Sequence, residues 1–212
     1  LAALPPLTQV NGRLAITENS VSAQEITGKG FGGPLKVQIK SSGDKVAVLA
    51  GGTANIAEVS HHFGWPLINH LSGSSAWKAD IAIRKRNAEM VIESDLVGVS
   101  SPLPEPLNKT ATMPIPLRVE RSLPDATREQ YRITLGKVAQ GIIVSRQSNW
   151  ERGVFSVGET DLRLPEKGLV IRVATPKIDA DAWRNYLPDG GPGGEATAGG
   201  GVALALVALK TP

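Results

Sequence analysis

Few side chains in this chain sit at spacings that could do chemistry, and each has a structural explanation. His61, His62 and His70 are the only histidines among 212 residues. Neighbours on a helix point about 100° apart, so His61 and His62 do not make the i, i+4 pair that a zinc site uses. They read as surface or helix-end histidines, and no metal site is expected. Cysteine is absent, which removes disulfides, thiolate metal sites and thiol catalysis. No serine sits in a Gly-x-Ser-x-Gly elbow. Gly28, Gly30, Gly32 and Gly33 cluster, but no Gly-Lys-Ser/Thr follows and the next element is a strand, so they read as a bulge or tight turn. Asp179 and Asp181 open a short helix, where carboxylates complement the dipole and the free amides. Asp95 follows a strand and can fix the next turn through its side chain. Asn108-Lys109-Thr110 spells a glycosylation sequon that matters only in a eukaryotic secretory pathway. No catalytic constellation and no cofactor site assembles from these residues.

The elements that hold these side chains are mostly strands. Hydrophobic residues make up 41% of the chain and aromatics only 4%, so the apolar surface must be aliphatic. Gly 23 and Pro 15 suit short strands joined by turns. The dominant signal is period-two alternation, which sends successive side chains to opposite faces of a sheet. Leu35, Val37 and Ile39 face one way, with Lys36, Gln38 and Lys40 opposite. Trp77, Ala79, Ile81 and Ile83 alternate with Lys78, Asp80, Ala82 and Arg84, and Met90 and Ile92 with Glu89 and Glu93. The pattern recurs at Leu117 and Val119, at Tyr131, Ile133 and Leu135, and at Leu169, Ile171 and Val173. One apolar and one wettable face per strand implies an antiparallel sheet with one side covered.

Ser41-Ser42-Gly43-Asp44 and Lys85-Arg86-Asn87 link consecutive strands as hairpin turns, and Asn19-Ser20 and residues 137–140 read as loop tips. Two short helices interrupt the strands. One spans 55–63, with Asn55 as N-cap and Gly64 as stop; the other spans 179–187, capped by Asp179 and ended by Pro188-Asp189-Gly190. The prolines at 102, 104, 106, 114 and 116 exclude an interior strand over 100–116, which reads as an ordered connection crossing an edge of the sheet. Residues 190–201 read as a glycine-rich linker or loop, after which 202–209 resumes as a strand that rejoins the sheet or begins another module. The expected fold is therefore mainly β, a curved antiparallel sheet of meander or groove type with two short helices. Its parts are a strand-rich segment over 1–189, the linker, and a terminal strand over 202–212.

Net charge is +3, with 23 cations against 20 anions, a mixed surface with no basic–aromatic pattern for nucleic acid. No run reaches the roughly 18 apolar residues of a membrane span. There is no signal peptide and no initiating methionine, so the chain reads as a piece of a longer protein.

Several strings, in order, resemble one family. They are Leu71-Ser72-Gly73-Ser74-Ser75-Ala76-Trp77, then Glu93-Ser94-Asp95-Leu96-Val97-Gly98-Val99, then Leu103-Pro104-Glu105-Pro106-Leu107-Asn108-Lys109. Gly32-Gly33-Pro34 stands upstream, and Pro176-Lys177-Ile178-Asp179-Ala180-Asp181-Ala182-Trp183 downstream. Together they resemble the YhdP branch of the AsmA-like proteins. Phe31, where that branch often has Leu, and the long glycine linker are departures. The resemblance implies a segment from the C-terminal half of a large non-enzymatic protein of the Gram-negative periplasm. Such proteins are anchored in the inner membrane by an N-terminal helix and look like bridge-like lipid-transfer proteins, with an apolar β-groove for phospholipid passing toward the outer membrane. Phospholipid acyl chains are then the expected partners, with other envelope proteins also possible. The residues that would line such a groove are Leu35, Val37, Ile39, Ile81, Ile83, Met90, Ile92, Ile133 and Leu135. The alternative is a structural or protein-interaction module of the envelope in which the same face is a closed core.

Overall fold

The computed structural model describes residues 6–63, 66–85, 87–125, 127–146, 149–158, 162–174, 179–186 and 202–205. The expected Gly64 stop, the 187–190 helix end, the 190–201 linker and 206–212 lie outside them. The chain begins with β1 (Thr8–Gly12), β2 (Ala15–Ile16), β3 (Val21–Gly30), β4 (Gly33–Ser42) and β5 (Lys45–Asn55). Helix α1 (Ile56–Phe63) and a 3₁₀ turn (Pro66–His70) lead to β6 (Ser72–Arg84), β7 (Asn87–Ser94) and the two-residue β8 (Val99–Ser100). Then follow β9 (Leu117–Ser122), β10 (Arg128–Leu135), β11 (Ala139–Arg146), β12 (Asn149–Val157), β13 (Gly168–Val173), α2 (Ala180–Arg184) and β14 (Val202–Ala205).

The strands form one open sheet in the order β1-β3-β4-β5-β6-β7-β9-β10-β11-β12-β13-β14, with β2 beside β3 and β8 beside β6. From β3 to β12 every neighbour on this path is antiparallel, so the meander read from the turns is present. The end of the sheet departs from it. Strand β13 pairs parallel with β12, and β14 parallel with β13. The last segment therefore rejoins this sheet, but through returning connections that a reading based on hairpin turns does not anticipate.

Helix α1 starts where its cap predicts, with Asn55 Oδ1 accepting from the Ala57 amide at 2.9 Å. Helix α2 starts in the same way, with Asp179 Oδ1 accepting from Ala182 N at 2.9 Å. Six strands, β1, β2, β3, β8, β11 and β12, are not among those the alternation picks out. Strands β1 and β2 are exposed throughout, β3 has a bulge between Ala23 and Ile26, and β11 is buried on both sides. Residues 139–140, read as a loop tip, are the start of β11, and the turn is confined to 136–138.

Residues 95–116 also differ from expectation. They cross no edge of the sheet. They leave β7 and return to its direct neighbour β9 in mid-sheet, so the prolines lie in a long excursion at one end of the strands. The insertion 56–71, between the paired β5 and β6, emerges at the same end.

Candidate functional site

Residues that face each other across a ladder share a face, so the pairing register extends each strand's alternation over the whole sheet. One row runs Ile26, Val37, Ala50, Ala79 and Ile92, residue opposite residue. It continues through Val119, Ile133, Gly141, Phe155 and Ile171. No polar side chain interrupts it. It crosses ten strands, β3 to β7 and β9 to β13, a distance on the order of 40 Å at the usual strand spacing. The row on one side of it holds Leu35, Gly52 and Trp77, then Leu117, Leu135, Ala139 and Val157. The row on the other side holds Ile39, Val48, Ile81 and Met90, then Arg121, Tyr131 and Ile143.

All nine residues named from the alternation fall on this one face. Val37, Ile92 and Ile133 lie in the central row, Leu35 and Leu135 in the row beside it, and Ile39, Ile81 and Met90 in the row opposite. Ile83 lies one position further out, across from Val46 and Ala88. Leu35 and Ile133 are buried, and the other seven are half-buried. The buried apolar residues that pack into a core cluster, Ile142, Val144 and Val154, sit on the opposite face, where Leu162 and Leu164 lie against them. That cover explains why β11 shows no alternation: both of its faces are occupied.

Away from this patch the second face is charged. Lys78, Glu93 and Arg118 stand opposite one another on β6, β7 and β9. They make ion pairs of 2.9 and 2.6 Å, and Arg118 reaches Glu120 at 2.8 Å. Hydrogen bonds from Lys78 and then Arg118 hold the Glu93 carboxyl below its ordinary range. A depression of about 350 Å³ also opens here, among Asp80, Glu89, Glu120 and Arg132.

The resembling strings meet at the end of the sheet where the long excursions emerge. Gly73 (φ +103°) and Gly98 (φ +96°) are packed backbone to backbone. A Cβ on Gly73 would fall 2.0 Å from the Gly98 carbonyl, and one on Gly98 would fall 2.2 Å from that of Ser74. Asp95 Oδ1 accepts from Val97 N at 2.9 Å, the turn-fixing role expected of it. Lys109, which closes one of the resembling strings and stands in the sequon, is 8% exposed. Its ammonium donates to the carbonyls of Leu96 and Val99, both at 2.7 Å, and of Thr110 at 3.1 Å. Burial holds its pKa below the ordinary lysine value, against the pull of Asp95. One signal marked it: between 96 and 117 the only charged residues are Glu105 and Lys109.

Helix α2 joins this end through Trp183 Nε1 donating to Glu105 O at 3.4 Å and the Tyr186 hydroxyl donating to Pro102 O at 3.2 Å. Two of the three histidines make aromatic contacts: His62 lies edge-on to Phe31 and Phe63, and His70 edge-on to Tyr186 at 4.9 Å. Among the described residues no group of three or more potential ligands could hold a metal ion, and no helix is long and apolar enough to cross a membrane.

A family model described as YhdP protein matches residues 2–212. No curated protein and no solved structure matches the chain.

Proposed function

We propose, from the premise that this chain belongs to the YhdP family, that its apolar face holds phospholipid acyl chains as part of a groove carrying lipid between the inner and outer membranes. Membership suggests an AsmA-like protein of the envelope, and the family is not known as enzymatic. In this reading the segment works in the periplasm and meets the inner membrane through an anchor elsewhere in its parent protein.

The observation that supports it is the unbroken apolar row from Ile26 to Ile171, in which seven of the ten residues are only half-buried. A face of this kind gains from any apolar ligand that covers it. Each buried CH₂ contributes about 0.8 kcal/mol, so part of one acyl chain suffices for appreciable binding. The closed-core alternative requires a covering layer. Leu162 and Leu164 pack on the other face, against the core cluster, whereas most of the central apolar row is only half-buried.

The test is photo-crosslinking in the envelope. A crosslinkable residue at Ile81 or Ile133 is expected to acquire lipid adducts detectable by mass spectrometry. Asp80 and Arg132, on the opposite face of the same strands, serve as controls. Equal labelling from both faces, or no lipid from either, sinks the reading.

A further inference from the structure

One place on the apolar face carries charge. Arg121 sits between Met90 and Tyr131 in the cross-strand row, and Glu129 lies on the same face two residues before Tyr131. The Arg121 and Glu129 side chains are 5% and 13% exposed and pair at 2.6 Å through Nη2 and Oε1. Tyr131 donates its hydroxyl to Glu129 Oε2 at 2.9 Å. Arg121 Nη1 donates to the carbonyl of Ala88, while its Nε is buried with no hydrogen-bond partner.

Stability alone does not account for this cluster. Apolar residues of similar volume usually serve a fold as well as a buried ion pair or better, because both charges must be stripped of water. A few convergent polar groups within an apolar site are, in contrast, what orients a ligand. We propose that Arg121, Glu129 and Tyr131 form a headgroup subsite on the apolar face that takes a zwitterionic headgroup, a phosphodiester joined to an ammonium. This rests on the acyl-chain reading above.

The selectivity follows from charge. Arg121 and Glu129 neutralise each other, so a purely anionic headgroup is repelled by the carboxylate as it is attracted by the guanidinium. A zwitterion exchanges partners with both. Its phosphate takes the guanidinium, including the unpartnered Nε, together with the Tyr131 hydroxyl, and its ammonium takes the Glu129 carboxylate. The acyl chains then lie along Ile92, Val119 and Ile133, one pleat repeat away, about 7 Å.

The experiment offers the full chain mixed micelles of phosphatidylethanolamine and phosphatidylglycerol with identical acyl chains, and bound lipid is counted by mass spectrometry. The wild-type chain is expected to enrich phosphatidylethanolamine about tenfold, the equivalent of one charge-assisted hydrogen bond. Glu129→Gln, which leaves the guanidinium unopposed, should turn the preference toward phosphatidylglycerol. The double variant Arg121→Met with Glu129→Leu should bind both lipids alike. If circular dichroism shows the double variant unfolded, Glu129→Gln decides alone. No preference in the wild type, or an unchanged preference in either folded variant, overturns the headgroup subsite and leaves the acyl-chain reading standing. Failure of the wild type to bind either lipid overturns both.

Discussion

The loop-bearing end of the sheet and its apolar face handle burial in opposite ways. At the loop end, backbone meets backbone without water: Gly73 and Gly98 touch, and the Lys109 ammonium satisfies three carbonyls from one buried position. Every polar group there has to be matched, and single atoms are decisive. On the apolar face the central row contains no polar side chain and most positions along it are only half-buried, so many small aliphatic contacts share the work. The first region specifies one arrangement. The second tolerates variation in detail and leaves surface for a ligand.

The sharpest way to break this contrast is Gly73→Val. Its Cβ would meet a carbonyl that cannot yield, and its φ of +103° is unsuited to a branched residue. A loss of more than about 4 kcal/mol is expected, seen as loss of a cooperative urea transition. Lys109→Met comes next. It keeps the apolar stem and takes the ammonium from three carbonyls, of which those of Leu96 and Thr110 keep a backbone donor, and should cost about 2–3 kcal/mol. Faster amide exchange should be concentrated in residues 95–112; unchanged protection there would refute the role given to this lysine.

A change on the apolar face tests the other half of the comparison. Burial pushes the Glu129 carboxyl up, but hydrogen bonds from Arg121 and Tyr131 and the guanidinium charge outweigh it, leaving it below the ordinary 4.5. A carboxyl depressed on folding adds stability above pH 4.5 that is lost as the pH falls through its lower folded value. Urea midpoints of the wild type should therefore drop below pH 4.5, and those of Glu129→Gln should drop less. Smallest of all is Val37→Thr at a half-buried position, expected to cost about 1 kcal/mol or less while weakening lipid capture. A cost as large as that of Lys109→Met would mean that the face is a sealed core.

Much of the sheet was legible because alternation is local. Leu35-Lys36-Val37-Gln38-Ile39 states its two faces without reference to any other strand, and all nine residues chosen this way share one face. Both caps, Asn55 and Asp179, were equally local. The polar cluster left only a faint trace: Arg121 continues the apolar phase of Leu117 and Val119, and Glu129 that of Tyr131 and Ile133. Each looks like an ordinary strand end until register places them together.

The sequence by itself determined a mainly β chain, its two-sided strands, most of its hairpin turns and both helix starts, since these depend on side chains a few residues apart. Only the tertiary structure decided that β13 and β14 pair in parallel, that the 95–116 excursion stays in mid-sheet, and that Lys109 and the Arg121–Glu129 pair are buried. Pairing and burial join residues far apart in the chain, and period two says which face a residue occupies but not which strand lies beside it.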